Sequence, residues 1–302
     1  MIIKPLTKPQ KLILLEYLHT RMDLSNEDEQ YLVNLRKGYE GEVAFNSLTE
    51  KLTCNCLVFN GLLLEFNNTK FQIDSLIALE NEFYLIEVKN FEGDFYYKNG
   101  LFYSMNGKER KDPLVQLERC SSLFRQLLQS LGFSRLRLEP SVVHVNPEFT
   151  LYQASPEAPI IFPSQVHRYL TKINKISSTL NRKHEMLAGK FLSRHIEEDP
   201  YAQLPPYTYS ELRKGLICAN CHSFLTNVSV KFCVCGKCGH KETVESAVLR
   251  GVEELKLLFP DVRITSKLVF DWCGVVGSQK TIKRILERHF QQAGGRRWTY
   301  FE

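Results

Sequence analysis

Two apolar segments in the first third of the chain constrain its fold most, because together they predict a buried β-hairpin. Residues 72–79 and 83–89 are rich in Ile, Leu, Val, Phe and Tyr, and only residues 80–82 separate them. Such runs indicate two antiparallel strands, joined here by a two-residue loop at Glu80-Asn81. Both segments are apolar at most positions, which is typical of strands that other elements cover on both faces.

Three charged residues interrupt these apolar strands. With the two-residue loop, Asp74 lies opposite Glu87, and Glu87 shares a face with Lys89 because alternate strand residues point the same way. Carboxylate oxygens suit Mg²⁺ or Mn²⁺, and the lysine could orient or activate an attacking water. The alternative places the three charges on the wet face of a half-exposed sheet. The apolar flanks favour the first interpretation, since charges are rarely buried without a partner or an ion.

Three further motifs accompany the charged hairpin: GYEGE at residues 38–42, QID at 72–74 and DPLVQ at 112–116. With EVK at 87–89, they resemble the NERD (nuclease-related) domain of the PD-(D/E)XK nuclease superfamily over roughly residues 36–145. The resemblance implies an α/β (α+β) restriction-endonuclease-like core in which helices flank a mixed sheet. It also implies metal-dependent hydrolysis of phosphodiester bonds.

The resemblance assigns a role to each site residue. Asp74 and Glu87 would bind Mg²⁺ or Mn²⁺, and Lys89 would position the water or stabilise charge on the phosphate. Glu42 would join the acidic cluster, and Gln116 would contact the substrate or the water. The alternatives are a solvated helix carboxylate for Glu42 and a surface glutamine for Gln116.

Two helices are predicted to present the outlying site residues. The helix that carries the GYEGE motif begins after Ser25 and extends to about Leu52. The small residues Gly38 and Gly41 would let this helix approach the sheet closely. The helix that carries the DPLVQ motif begins with Asp112 as its N-cap and Pro113 at its first position.

Composition describes an ordinary globular chain of 302 residues, 43% hydrophobic and 24% charged, which is long enough for two domains. The amino terminus lacks the features of a secretory signal, and no apolar run reaches about 18 residues, so no membrane span is expected. We therefore expect a cytoplasmic protein. In that compartment its nine cysteines favour metal ligation and free thiols over disulfides.

Two C-x₂-C pairs towards the carboxy terminus predict a structural zinc site. Thirteen residues separate the pairs, and thiolates in such pairs fit a tetrahedral Zn²⁺ without an open catalytic position. Cys233 and His240 are possible substitutes, although the C-x-C spacing of Cys233 and Cys235 suits a knuckle less well. The segment resembles a zinc ribbon. The predicted ligands are Cys218, Cys221, Cys235 and Cys238.

The basic excess is confined to the last quarter of the chain. Residues 218–302 hold 13 Lys and Arg against 8 Asp and Glu, whereas the preceding residues hold 26 of each, and such a local excess favours a nucleic-acid contact. Helices predicted at 245–259, 265–272 and 279–292, with a basic-aromatic strand at 294–301, resemble a winged helix-turn-helix. The alternative is a small helical bundle with an ordinary charged face. The predicted DNA-contacting residues are Lys280, Lys283, Arg284, Arg288, Arg296 and Arg297.

These patterns divide the chain into five predicted segments. They are an N-terminal helical region (1–35), the nuclease-like domain (36–163), a helical connector and linker (164–210), the zinc-ribbon-like module (211–243) and the helix-turn-helix-like DNA-binding module (244–302). The first strand of the nuclease-like domain is predicted at Cys56–Phe66.

The sequence therefore predicts a Mg²⁺-dependent deoxyribonuclease that processes DNA and docks on it through its carboxy-terminal region. One rival is a catalytically inactive DNA-binding or regulatory protein that retains the nuclease fold. Another is a structural or RNA-associated factor. RNA readers usually combine exposed aromatic platforms with Gly-rich motifs, and the sequence contains no such motif.

Overall fold

A computed structural model describes residues 1–133, 136–197, 204–295 and 299–302. The chain divides into two compact units. The first unit comprises Met1–Pro9 and Val33–Ala202, and the second comprises Gln10–Leu32 and Gln203–Glu302.

Strands dominate the first unit and helices the second. Up to residue 197 the elements are β1 (Ile2–Lys4), α1 (Gln10–Arg21), α2 (Asn26–Thr49), β2 (Leu57–Phe66), β3 (Thr69–Ala78), β4 (Glu82–Lys89), β5 (Gly93–Lys98), β6 (Leu101–Ser104), β7 (Glu109–Arg110), α3 (Pro113–Ser130), β8 (Arg137–His144), β9 (Phe149–Tyr152), β10 (Ile160–Ile161), a 3₁₀ turn (Pro163–Gln165), α4 (Val166–Asn174) and α5 (Arg182–Arg194). They are followed by β11 (Asn227–Val228), β12 (Phe232–Val234), β13 (Lys241–Thr243), α6 (Val244–Leu258), α7 (Ser266–Cys273), α8 (Gln279–His289), β14 (Gln292–Ala293) and β15 (Tyr300–Phe301). Across the described ranges, no helix combines the length and apolar composition needed to cross a bilayer.

A mixed six-stranded sheet organises the first unit, with strand order β1-β2-β3-β4-β8-β10. Strand β3 is antiparallel to its neighbours β2 and β4, whereas β1 runs parallel to β2, β8 parallel to β4, and β10 parallel to β8. The predicted hairpin of β3 and β4 occupies the centre of this sheet. The predicted mixed sheet flanked by helices is therefore confirmed.

Helices cover both faces of the sheet, as the apolar strands require. On one face, Leu76 packs in a cluster with Phe124 of α3 and Phe191 of α5. On the other, Ile77 packs in a cluster that contains Phe45 of α2 and residues of α4. Successive residues of β3 thus enter opposite cores, which follows from the two-residue period of a strand. The central strands are buried on both sides, and the charged residues within them are held in an apolar setting.

The predicted N-terminal helical region, residues 1–35, is divided between the two units. Ile2–Lys4 forms an edge strand parallel to β2, so the predicted first strand at Cys56–Phe66 is the second strand of the sheet. Helix α1 instead supplies Leu14 and Leu18 to the core of the second unit. A three-residue strand is too short to show a two-residue period, which is why the sequence pattern did not reveal it.

Most of the predicted connector, residues 164–210, is part of the first unit. Ile173 of α4 and Phe191 of α5 are buried in the two cores that flank the sheet. The compact first unit therefore extends beyond residue 163, where the nuclease-like domain is predicted to end. Two amphipathic helices were visible in the sequence, but their apolar faces did not indicate which surface they would cover.

The first unit also contains a second, smaller sheet, with strand order β7-β6-β5-β9. Its β5–β6 hairpin turns at Asn99 and Gly100, which have φ values of 51° and 76°. Positive φ at both central residues is the requirement of a type I′ turn. The sheet buries Phe95, Phe102 and Phe149 in a separate aromatic cluster.

The second unit has one core that joins the two predicted carboxy-terminal modules. Cys218 and Cys235 are buried in the same cluster as Val248 of α6 and Trp272 of α7. Helices α6, α7 and α8 pack on one another and are followed by the β14–β15 hairpin, the order expected for a winged helix-turn-helix. The three-stranded sheet β11-β12-β13 is compatible with a zinc ribbon. The zinc-ribbon-like segment and the helices thus share one core instead of forming two modules.

A buried ion pair lies within this second core. The guanidinium of Arg21, on α1, donates to both carboxylate oxygens of Glu254, on α6, at 2.7 and 2.8 Å. It also lies 3.9 Å from the centroid of the Trp272 ring and donates to the carbonyls of Arg213 and Gly215. Because Arg21 and Glu254 are both buried, loss of either charged group would leave an unpaired charge in the core.

Candidate functional site

The β3–β4 hairpin places the first two acidic residues side by side. Its two-residue loop is closed by the amide of Leu79, which donates to the carbonyl of Glu82 at 2.9 Å. The carboxylate of Asp74 accepts the backbone N–H of Val88 at 2.9 Å and so lies against the strand that carries Glu87. The predicted loop and the predicted proximity of the two carboxylates are both present.

The lysine links this pair to helix α3. The Nζ of Lys89 donates to Oε1 of Glu87 at 2.6 Å and to Oε1 of Gln116 at 3.2 Å. Gln116 stands one turn into α3, whose first turn is fixed by Asp112, because its carboxylate accepts the N–H of Leu114 at 2.8 Å. Asp112 is therefore the predicted N-cap, and Gln116 faces the cluster, as predicted.

Glu42 reaches the cluster from α2, which approaches the end of β4 closely at one glycine. A Cβ atom built on Gly41 would lie only 2.6 Å from the Cβ of Asn90, so only glycine fits there. A Cβ on Gly38 would meet nothing within 4 Å. The predicted close approach is therefore correct for Gly41 and wrong for Gly38, which faces open space.

Two of the three carboxylates, Asp74 and Glu42, have raised pKa values. Burial, followed by the charges of Glu87 and Glu42, holds the pKa of Asp74 well above its usual range. Burial and the charge of Glu87 raise the pKa of Glu42 to about 7, against the opposing effect of Lys89 and Lys4. Close carboxylates in a poorly solvated site favour a bound proton or a bound cation. The cluster is therefore suited to hold a cation at neutral pH.

The separation of the carboxylates limits how they would share an ion. Among the described residues, three or more potential ligand atoms lie within 4.8 Å of one another only in a group of four cysteines. The carboxylates of Glu42, Asp74 and Glu87 are therefore not all within 4.8 Å of one another. A Mg²⁺ ion is usually held by one or two carboxylates with water and substrate phosphate as further ligands. Asp74 and Glu87 are the two carboxylates of the β3–β4 hairpin, and Glu42 reaches the same cleft from α2.

A cleft of about 620 Å³ opens over this cluster. It brings together all five predicted catalytic residues: Glu42, Asp74, Glu87, Lys89 and Gln116. Its walls also include Lys37 of α2, Phe91 and Arg110, which the sequence analysis did not identify. These three lie outside the recognisable motifs. Arg110 ends β7 of the small sheet, Phe91 lies just before β5, and Lys37 is on α2, so only the folded arrangement brings them to the cleft.

The predicted zinc ligands form a second site, in the second unit. The sulfurs of Cys218, Cys221, Cys235 and Cys238 all lie within 4.8 Å of one another. The pairs Cys221–Cys235 and Cys218–Cys238 are 3.5 and 3.7 Å apart, close to the edge of about 3.8 Å that Zn–S bonds of about 2.3 Å require in a tetrahedron. The four cysteines therefore fit a metal such as zinc.

The two possible substitutes are not part of this sulfur cluster. Cys233 is fully buried in β12, paired with Glu242 of β13. His240 contributes its backbone carbonyl, which accepts the N–H of Cys235 at 2.9 Å. The hydroxyl of Ser223 beside its sulfur is the main cause that lowers the pKa of Cys235 to about 5, which favours the thiolate that binds metal.

Helix α8 presents the predicted DNA-contacting residues on its exposed face. Lys280, Lys283 and Arg284 are exposed, whereas the apolar side of the helix is buried. Lys283 lies 3.6 Å from Glu287, and Arg288 pairs with Glu245 at 2.6 Å. Arg288 is thus partly engaged within the protein. Arg296 and Arg297 lie outside the described residues.

Comparison with known proteins agrees with the motifs. The family model of the nuclease-related domain (NERD) matches residues 37–145. A search of curated proteins found no match. The crystal structure of protein VC1899 from Vibrio cholerae aligns with 55% of this chain at 12% identity and a TM-score of 0.25. The alignment spans 50% of that protein, and a similarity this low supports no statement on fold or function.

Proposed function

We propose that the nuclease-related domain at residues 37–145 hydrolyses phosphodiester bonds of DNA with the help of Mg²⁺ or Mn²⁺. One observation carries the proposal: α2, β3, β4 and α3 bring five polar side chains into one cleft within an otherwise apolar core. Buried polar groups of this kind are expensive for folding unless they serve a site. Three carboxylates, an ammonium and an amide are the groups that metal-assisted phosphate chemistry uses.

Asp74 and Glu87 would hold the cation. Asp74 uses one carboxylate oxygen to accept the Val88 N–H and the other to accept from Gln72 at 3.3 Å, so its orientation is fixed. Glu87 is only 2% exposed and cannot swing into solvent. A Mg²⁺ ion bound by these groups would polarise the scissile phosphate and lower the pKa of a bound water.

Lys89 is the residue that would act on the phosphate or on the water. Its side chain is 18% exposed towards the cleft, and Gln116 and Glu87 together hold its ammonium group. A positive charge held in a dry site stabilises developing negative charge more strongly than it could in water. Glu42, with a pKa of about 7, can hold or release a proton near neutral pH.

The second unit would dock on DNA. Its exposed basic side chains on α8 and its hairpin follow the plan of a winged helix-turn-helix, in which cations contact phosphates and one helix enters the major groove. Cys218 and Cys235 of the four-cysteine site are buried in the core of this unit, Cys238 is exposed, and the site would hold a structural zinc.

A cleavage assay tests the catalytic proposal. Linear, nicked, branched and single-stranded DNA are incubated with Mg²⁺ or with EDTA, using wild type, Lys89→Ala and the exposed surface variant Lys98→Ala as a matched control. Wild type and Lys98→Ala should cleave at equal rates. Lys89→Ala should retain Mg²⁺ binding and cleave roughly 10² times more slowly, the scale of one lost electrostatic contact in a transition state.

Two results would reject the catalytic proposal. An inert wild type on every DNA form would favour the rival, a DNA-binding protein that retains the nuclease fold. Equal cleavage by wild type and Lys89→Ala would place the active centre elsewhere.

A further inference from the structure

Two cleft residues outside the predicted catalytic set indicate which form of DNA the cleft accepts. Phe91 immediately follows β4 and precedes β5, and Arg110 ends β7. Both line the cleft that contains Asp74, Glu87 and Lys89. The small sheet thus adds one aromatic ring and one guanidinium group to the walls around the acidic cluster.

Three cationic side chains line the cleft, and among the described residues Arg110 is the one that forms no ion pair. Lys37 pairs with Glu92 at 2.8 Å, and Lys89 pairs with Glu87. Arg110 is exposed and makes no ion pair with any carboxylate in the ranges that the structure describes. A guanidinium beside an acidic site that would bind phosphate is suited to contact a phosphate oxygen.

The backbone around Arg110 holds it ready for such a contact. Its Nε donates to the hydroxyl of Ser104 at 3.2 Å, and Ser104 is only 9% exposed. The amide of Ser104 in turn donates to the carbonyl of Lys108 at 3.0 Å, which closes the turn before Arg110. Because this hydrogen bond already holds Nε, less side-chain freedom is lost when a phosphate binds the guanidinium group.

Phe91 offers a held aromatic surface. Its ring stacks on Phe95, with centroids 5.3 Å apart and planes at 23°, and lies 6.1 Å from Phe102. Phe95 and Phe102 are buried, whereas Phe91 is half-buried and reaches the cleft. A nucleobase can stack on such a ring only when it has left the stack of a duplex.

We propose that the cleft accepts DNA with unpaired nucleotides next to the scissile phosphate. One base stacks on Phe91, and a neighbouring phosphate contacts Arg110. The inference rests on the proposed function, because it names the substrate form for the same site. It follows from the two groups together, since a cation alone would suit any phosphate and a ring alone would suit any apolar ligand.

The test uses the full chain and a single-stranded oligonucleotide that contains 2-aminopurine, whose fluorescence falls when the base stacks. Ca²⁺ replaces Mg²⁺ so that binding is measured with cleavage suppressed. The variants are Phe91→Leu, which keeps apolar volume without the ring, and Phe91→Tyr, which restores the ring. Tyr103→Leu is the matched control, because Tyr103 belongs to the same small sheet and does not line the cleft.

Phe91→Leu should weaken binding by about ten-fold and remove the stacking signal, whereas Phe91→Tyr and Tyr103→Leu should behave as wild type. Arg110→Ala should reduce the slope of log affinity against log salt by about 0.7, the value for one phosphate contact on a single strand, while Lys98→Ala leaves it unchanged. The same probe in a blunt duplex should show no dependence on Phe91.

Equal binding and equal quenching by wild type, Phe91→Leu and Phe91→Tyr would overturn the inference, even if wild type cleaves DNA. Equal dependence on Phe91 for duplex and single strand would overturn it as well. If wild type cleaves no DNA but binding depends on Phe91 as expected, the nuclease proposal fails while the cleft remains a site for unpaired DNA.

Discussion

Replacing Gly41 by alanine tests whether the position of α2 depends on its contact with the end of β4. The added Cβ would lie 2.6 Å from the Cβ of Asn90 and 3.4 Å from a methyl group of Val145. The Cβ of Asn90 is attached to the backbone and cannot rotate away, so either α2 or the chain after Lys89 must shift. Gly38→Ala is a matched control in the same helix, because its Cβ meets nothing within 4 Å.

The two substitutions should change the free energy of unfolding in opposite directions. Alanine is favoured over glycine in a helix interior by about 1 kcal/mol, so Gly38→Ala should stabilise the protein by roughly that amount. Gly41→Ala gains the same helical preference, but overpacking of a close contact costs about 1–3 kcal/mol or more. Gly41→Ala should therefore be less stable than Gly38→Ala by about 1–3 kcal/mol, or about 2–12 °C in Tm for a unit of this size.

Urea unfolding monitored by circular dichroism measures the difference, with the metal-dependent cleavage rate as a second measurement. Because Gly41 precedes Glu42, the shifted helix should also displace that carboxylate and reduce cleavage. Equal stability of the Gly38 and Gly41 variants, together with normal cleavage by Gly41→Ala, would refute the proposed close packing of α2 on the end of β4.

Three further predictions concern the metal sites and the docking face. Cys238→Ser should release about one equivalent of zinc, measured by metal analysis, and loosen the second unit while the first stays folded; full zinc content would contradict the ligand set. Changing Lys280 and Arg284 together to Ala should reduce the salt slope for duplex DNA binding by about two units, and an unchanged slope would place the contact elsewhere. Because the pKa of Glu42 is raised to about 7, the folded state binds a proton more tightly than the unfolded state, so stability in EDTA should fall as pH rises from about 4 to 7. Glu42→Gln should flatten that part of the stability curve, and an unchanged curve would show that Glu42 is not the titrating group.

The meeting of these polar side chains in one cleft could be predicted because their signals are local. Asp74, Glu87 and Lys89 lie within 16 residues, on two strands whose loop length sets their register. Asp112 and Pro113 likewise mark the start of α3, and the position of Gln116 follows from that start. The zinc ligands were visible for the same reason, since the spacing within each pair already brings two sulfurs together.

Long-range contacts could not be predicted in this way. Gly38 and Gly41 are equivalent in the sequence of α2, and only the chain near Asn90 distinguishes them. Arg21 looks like an ordinary charged residue at the end of a helix, yet it is buried against Glu254, 233 residues later. A pattern of period 3.6 identifies an apolar face but contains no information on the surface that will cover it.

The electrostatics of the cleft explain why such polar side chains persist within apolar strands. Burial and mutual repulsion raise the pKa of both Asp74 and Glu42, so ionising the cluster opposes folding at neutral pH. Among the three carboxylates, Lys89 forms an ion pair with Glu87 only. Asp74 and Glu42 therefore have no hydrogen-bonded cation among the described residues. Apolar residues of similar size at these positions would be expected to give a more stable first unit. The cluster therefore cannot be explained by stability. Under the proposed function, a cation bound to Asp74 and Glu87 would remove the repulsion, which would account for the charge pattern of β3 and β4.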